Sequence, residues 1–235
     1  MEKENIFKWK HYQPDIILLT VRWYLRYNLS FRDLVEMMGE RGLIIAHTTI
    51  MRWVHQYGPE LNQRIRKYLK QTNDSWRVDE TYVKVKGQWM YLYRAVDSEG
   101  DTFDFYLSQT RNHKAAKRFF NKALRSFHVS NPRVITVDKN PSYSMAIAKL
   151  KKEKKIPNDI PIRQVKYLNN IVEQDHRFIK KCVHSMLGFK SFKTTIFILS
   201  GIEAMHMMKK GQIDLQNQSV QNQKEFIHQL LGLVA

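Results

Sequence analysis

Three carboxylates stand out by residue type and placement. Asp79 interrupts an apolar and aromatic run, WRVDETYVKVK, where a charge is a poor choice for a strand interior. Asp138 closes the run RVITVD, and Glu173 falls in the first turn of a helical segment, YLNNIVEQDHRFIKK. Glu173, Arg177 and Lys180 recur at i, i+4 and i+7, so two cations share the face of the acid and suit the phosphates of a bound strand. Converging oxygen donors fit Mg²⁺, which takes a few carboxylates and fills its other positions with water and substrate phosphate. Two such ions about 3.5 to 4 Å apart activate the attacking oxygen of a phosphodiester exchange and stabilise the departing one.

Each acid also has a plainer reading. Asp79 could pair with a cross-strand lysine, and Asp138, before Lys139, Asn140 and Pro141, could start a turn or cap the next helix. Glu173 lies three residues after Asn170, which is capping-box spacing. For the plain readings to hold together, three separate accidents must fall on elements that converge in one sheet. The joint metal-binding reading is therefore preferred. His176, beside Asp175, reads as a local hydrogen-bonding residue, and Trp76, Trp89, Tyr91 and Tyr93 read as sheet core.

The elements that must position these acids follow from the hydrophobic period. Residues 14–28 form an amphipathic helix with Pro14 in its first turn, and Ser30 caps a short second helix that Gly42 stops. In HTTIMRWVHQYG, Ile50, Trp53, Val54 and Tyr57 occupy one side, which leaves Thr48, Thr49, Arg52, His55 and Gln56 on the other. Ala46 has no capping oxygen, so this third helix is expected to start from Thr48. Three such helices suit a helix-turn-helix with its third helix in a major groove, Arg52 being the best placed to read a guanine edge. A bundle that only packs on a partner is the alternative.

After a polar, basic connector near residues 60–75 the period changes to that of strands. Three strands in a meander precede a helix at 112–127, a buried strand at 133–138, a helix at 141–155, a fifth strand at 161–167 and a helix at 170–183. That order predicts a mixed α/β sheet with Asp138 at the carboxyl end of a parallel strand, where open sheets place their ligands. The domains expected are a DNA-binding head with connector at 1–72, a catalytic core at 73–210, and a tail at 211–235, Gln/Asn-rich and either mobile or at a protomer interface. Lys149, Lys151, Lys152, Lys154 and Lys155 form a basic cluster that tracks target phosphates or is a solvated helix end.

Composition narrows the function classes. The chain has 39 Lys and Arg against 22 Asp and Glu, a net charge of +17 that points to a polyanion, and nucleic acid fits better than a membrane because the basic residues are spread throughout. A single cysteine, Cys182, excludes an internal disulfide and suits a reducing cytoplasm. The charged start, MEKENIFKWK, does not read as a signal peptide, and the apolar stretch IFILSGIEAM is too short to span a bilayer. A cytoplasmic, nucleoid-associated bacterial protein is expected.

The strings VDETYVKVKG, YLYRAVD, KYLNNIVEQDHR and HTTIMRWV, with the spacing of Asp138 and Glu173, resemble the compact DDE transposases of the insertion-sequence-six group from about residue 10 to 210. The resemblance implies a ribonuclease-H-like five-stranded mixed sheet behind an all-α helix-turn-helix domain. It further implies Asp79, Asp138 and Glu173 as ligands of two Mg²⁺ ions, with Mn²⁺ able to substitute, and Lys180 as the basic residue that follows the Glu. The expected substrates are double-stranded terminal inverted repeats and target DNA. Strand cleavage and transfer would follow a replicative, cointegrate route in a homodimer or larger assembly. A nuclease that only cuts, and a helix-turn-helix regulator with an inactive core, are the competing readings.

Overall fold

The computed structural model describes residues 6–8, 10–186, 189–215 and 217–233. Contacts divide the chain into two compact units, Met1–Tyr68 with Lys181–Ala235, and Leu69–Lys180.

The first unit begins with α1 (Pro14–Arg26), α2 (Phe31–Gly39) and α3 (His47–Ile65). Ser30 caps α2 as its position predicts: its Oγ accepts from the Asp33 amide, and the Asp33 carboxylate accepts from the Ser30 amide. α3 starts one residue earlier than expected, at His47 directly after Ala46, and has no side-chain cap. It then continues through Pro59, because Leu61 and Ile65 prolong the buried stripe of Ile50, Trp53, Val54 and Tyr57. Burial of that stripe outweighs the one backbone hydrogen bond that a proline removes.

The second unit holds a sheet of β1 (Ser75–Val85), β2 (Gln88–Val96), β3 (Thr102–Ser108), β4 (Val134–Thr136) and β5 (Ile162–Arg163), in the order β3-β2-β1-β4-β5. β1 to β3 are antiparallel, whereas β4 and β5 run parallel to β1. This is the ribonuclease-H-like order. Lys86 and Gly87, both with positive φ (49° and 78°), make the two-residue turn between β1 and β2 whose twist suits a tight hairpin. β5 is far shorter than the strand expected at 161–167, since a 3-10 turn over Lys166–Asn169 replaces its second half. α4 (His113–Ala123) and α5 (Pro141–Lys152) cover one sheet face, and Trp76, Tyr93, Phe119, Phe120, Ile135, Tyr143 and Ile147 fill the core between. α6 (Asn170–Ser185) follows the 3-10 turn.

α7 (Phe192–Lys209) and α8 (Val220–Leu230) belong to the first unit. By contact, residues 181–210 group with the head helices. The reason lies in α7, which is apolar on every side, with residues 198–208 all buried, so it needs cover all round. Gly201 supplies the close approach: a Cβ there would meet Leu25 at 2.6 Å and the Gly58 Cα at 3.0 Å. The tail is likewise structured within its own chain. Ser219 caps α8, Ile227 and Leu231 are buried, and Phe226 meets Tyr68 edge to face at 5.3 Å. Residue 216, inside the Gln/Asn-rich stretch, lies outside the described residues. No described helix is long and apolar enough to cross a membrane.

Candidate active site

Strand register brings the two aspartates together. Arg77 of β1 pairs with Thr136 of β4; Asp79 lies two residues further along β1, and Asp138 two residues past the end of β4. Neighbouring strands are about 4.7–4.9 Å apart, so side chains at matching positions stand side by side. One oxygen each from Asp79, Glu80 and Asp138 lies within 4.8 Å of the others.

The three acids are not equivalent. Glu80 points into the α4/α5 side, where its side chain is only 1% exposed; it accepts from the Tyr143 hydroxyl and pairs with Arg111. Asn140 Nδ2 adds a longer contact to Glu80 at 3.4 Å. Burial first, and then the charge of Glu80, push the Tyr143 hydroxyl well above its ordinary pKa, so it stays a donor. Burial opposes the charge on Arg111, but Glu80 more than compensates and raises its pKa. Glu80 is thus committed to protein partners. Asp79 and Asp138, with side chains 16% and 36% exposed, remain open to a ligand.

Asp138 serves its turn as well. Its Oδ1 accepts from the Asn140 amide at 2.9 Å, and Asn140 in turn caps α5 through the Ser142 amide at 3.0 Å. Burial, then the negative charges of Glu80 and Asp79, raise the Asp138 pKa against the opposing Asn140 bond and the Arg111 guanidinium 3.6 Å away. A part-buried carboxylate that resists ionisation beside other acids, as Asp138 does, is the electrostatic situation that a divalent cation relieves. With an all-oxygen donor set, Asp79 and Asp138 fit a hard divalent ion.

The other face of the sheet positions α6. Arg77 bonds the Leu168 carbonyl, and Arg94, the residue opposite Asp79 on β2, pairs with Asp175 at 2.6 Å. The cross-strand neighbour of Asp79 is therefore an arginine with its own acidic partner, not a surface lysine. His176 is buried beside Asp79, Nε2 to Oδ2 3.4 Å, and neither ring nitrogen has a hydrogen-bond partner among the described residues. It is thus a neighbour of the site and not the local hydrogen-bonding residue expected.

Glu173 is exposed one turn before His176 and lies outside the cluster of Asp79, Glu80 and Asp138. Its capping-box reading fails, because Asn170 is already helical (φ −54°, ψ −33°) and a cap residue is not. Arg177 and Lys180 are exposed on the same helix. Lys151 is spent on the carbonyls of Asn158 and Ile160, at 2.8 and 2.7 Å, closing the loop after α5, so it is not free to track phosphates; Lys152 is exposed. On α3, Thr48 and Arg52 are exposed and Thr49 is half-buried. Gln56 accepts from Lys10 at 3.0 Å. His55 is half-buried with its ring 6.5 Å from that of Phe197, and burial lowers its pKa, so it does not share the free polar face.

Sequence reasoning missed Glu80, Arg94 and Arg111. The signal was present for two of them: alternation turns Glu80 to the face opposite Asp79, and Arg94 sits within the apolar run YLYRAVD, so both charges needed buried partners.

A ribonuclease-H-like sheet with one carboxylate within its central strand and another just past the end of the neighbouring parallel strand defines a metal-dependent polynucleotidyl transferase. Residues 73–212 match a family described as a DDE domain. The transposase for insertion sequence-like element IS431mec of Staphylococcus aureus strain N315 is 40% identical over 213 residues, covering 90% of this chain and 92% of that protein. The transposase for insertion sequence element IS257 in transposon Tn4003 of Staphylococcus aureus matches to the same extent. Among solved structures, the HTLV-2 integrase catalytic core domain in complex with magnesium, trimeric form, aligns at 16% identity over 56% of this chain and 84% of that one, with a TM-score of 0.43. The chain belongs to the DDE transposases of the insertion-sequence-six group.

Proposed function

We propose that this transposase binds the terminal inverted repeats of its own element and joins their strand ends to target DNA by a replicative, cointegrate-forming route. The observation that carries the reading is the meeting of the Asp79 and Asp138 carboxylates, on β1 and just past β4, with α6 anchored beside them. Asp79 and Asp138 would hold two Mg²⁺ ions, and Glu173 would complete the set from the first turn of α6. When bound, the cations activate the attacking oxygen and stabilise the leaving one. Arg177 and Lys180, exposed on the helix that carries Glu173, would orient the phosphates of the strand. Arg111 beside Asp138 holds Glu80 in place and leaves that acid out of ligation. In the head, Thr48, Thr49 and Arg52 on α3 would read the repeat and Gln56 would contact its backbone. Bringing two DNA ends together calls for a dimer or larger assembly.

Asp138→Asn tests the reading, since it keeps the side-chain shape and the bond from the Asn140 amide while removing an anionic ligand. DNA binding should persist, and Mg²⁺- or Mn²⁺-dependent cleavage and joining of repeat ends should vanish. Near wild-type product with either metal would remove Asp138 from the site.

A further inference from the structure

The outer half of the β1–β2 hairpin carries aromatic rings that the core covers only in part: Tyr91 packs against its edge, whereas Tyr82 and Trp89 are exposed. Tyr82 stands opposite Tyr91, and Lys84 opposite Trp89. Opposite residues of an antiparallel pair project from one face, so these four side chains share a surface. Exposure rises along β2 from Tyr93, at 0%, to Trp89, at 62%, while Tyr82 is 45% exposed. The sequence had assigned Trp89 to the core; the structure leaves its ring in water, since it lies near the turn end of the hairpin, beyond the residues that α4 and α5 cover.

The rings are arranged, not scattered. Tyr82 meets Trp89 edge-on at 6.4 Å and Tyr91 at 5.4 Å, and the Lys84 ammonium lies 5.7 Å from the Trp89 ring centroid. Together Tyr82, Trp89 and Tyr91 line an open groove of about 390 Å³, within the roughly 300–1,000 Å³ range of clefts that hold small ligands. Exposed aromatic area of this kind marks a binding surface. Three observations say what covers it. From Thr81 to Tyr93 the hairpin contains lysines, Lys84 and Lys86, and no acid, so the occupant is anionic. Tyr82 is two residues from Glu80 on the same face of β1, about 7 Å along an extended strand. Glu80 in turn pairs with Arg111, whose guanidinium is 3.6 Å from Asp138, so the rings stand on the side of the sheet from which Arg111 reaches the carboxylates.

We propose that this hairpin surface is a stacking platform for unpaired bases of the DNA strand that enters the carboxylate site, with Trp89 as the main stacking face and Lys84 and Lys86 meeting the flanking phosphates. Flat rings among cations hold single-stranded nucleic acid in this way, whereas bases within a duplex have no free faces to offer. The platform rests on the reading that the site processes DNA ends. It adds that the end is engaged with bases unpaired.

Fluorescence anisotropy of the full chain at fixed salt tests it, with a mixed-sequence duplex carrying a short single-stranded end and the same duplex cut blunt. Wild type should prefer the single-stranded end. Trp89→Ala should weaken that complex on the order of tenfold, the loss expected for one stacked base, and leave the blunt complex unchanged. Trp89→Phe should keep most of the preference. Trp89→Thr, a good strand residue without a ring, replaces alanine should the hairpin be unsettled. Equal wild-type affinity for both duplexes, or an equal loss on both in the variants, would overturn the platform while leaving the DNA reading intact. So would variants that keep the preference but sediment as a smaller species, which would make the patch a contact between copies. A wild-type chain that binds neither duplex would overturn the DNA reading, and the platform with it.

Discussion

The Arg94–Asp175 pair offers a quantitative test of how the sheet holds α6 against the site. Both side chains are nearly free of water, 0% and 8% exposed, and the charged atoms are 2.6 Å apart. A guanidinium does not lose its proton when buried, so Asp175→Ala removes the near anionic partner of an interior cation. Removing one partner of such a pair costs about 3–5 kcal/mol, and for a chain of this size each kcal/mol moves the melting temperature by roughly 2–4 °C. The unfolding transition should therefore fall by about 10 °C. Replacing both charges, as in Arg94→Met with Asp175→Leu, removes the desolvation cost together with the attraction and should recover most of the loss. Arg94 makes further interactions, so the coupling energy from the full double-mutant cycle measures the pair, not the single loss. Thermal unfolding followed by circular dichroism gives all four values. If Asp175→Ala melts within about 2 °C of wild type, or the double variant is no better than the single ones, the pair is not what anchors α6.

Two further perturbations separate packing from chemistry. Because Asn170 is helical and Glu173 exposed, Glu173→Gln and Glu173→Ala should both melt like wild type, yet both should lose repeat-end joining; an active Gln variant would end the three-carboxylate proposal. Gly58→Ala should destabilise the first unit by about 1–3 kcal/mol, since its Cβ would sit 2.8 Å from the Phe197 carbonyl oxygen. Gly39→Ala, at the end of α2 with nothing within 4 Å, should be neutral or slightly stabilising, and equal melting shifts for the two would show that the α3–α7 crossing is not tight.

Because hydrophobic period and turn residues act over a few positions, the order of elements, the strand pattern around Asp79 and the buried strand that precedes Asp138 were all legible in the sequence, though that strand ends at Thr136 and not at Asp138. That is enough to infer a mixed sheet and two of its acids. Which strands become neighbours, and in what register, depends on pairing between residues far apart in the chain; only the fold placed Asp79 and Asp138 two residues beyond one β1–β4 pair. The same long-range packing decided the fate of charges that look alike in a string of letters. Glu80 and Arg94 went inward to Arg111, Tyr143 and Asp175, whereas Lys151 was spent on loop carbonyls. Trp89, by its type a core residue, was left in water, because burial depends on what other elements cover a position and not on the residue alone. The placement of α7 followed from the same cause: its all-round apolar surface could be read from the sequence, but which helices would enclose it was settled only where Gly201 meets Gly58.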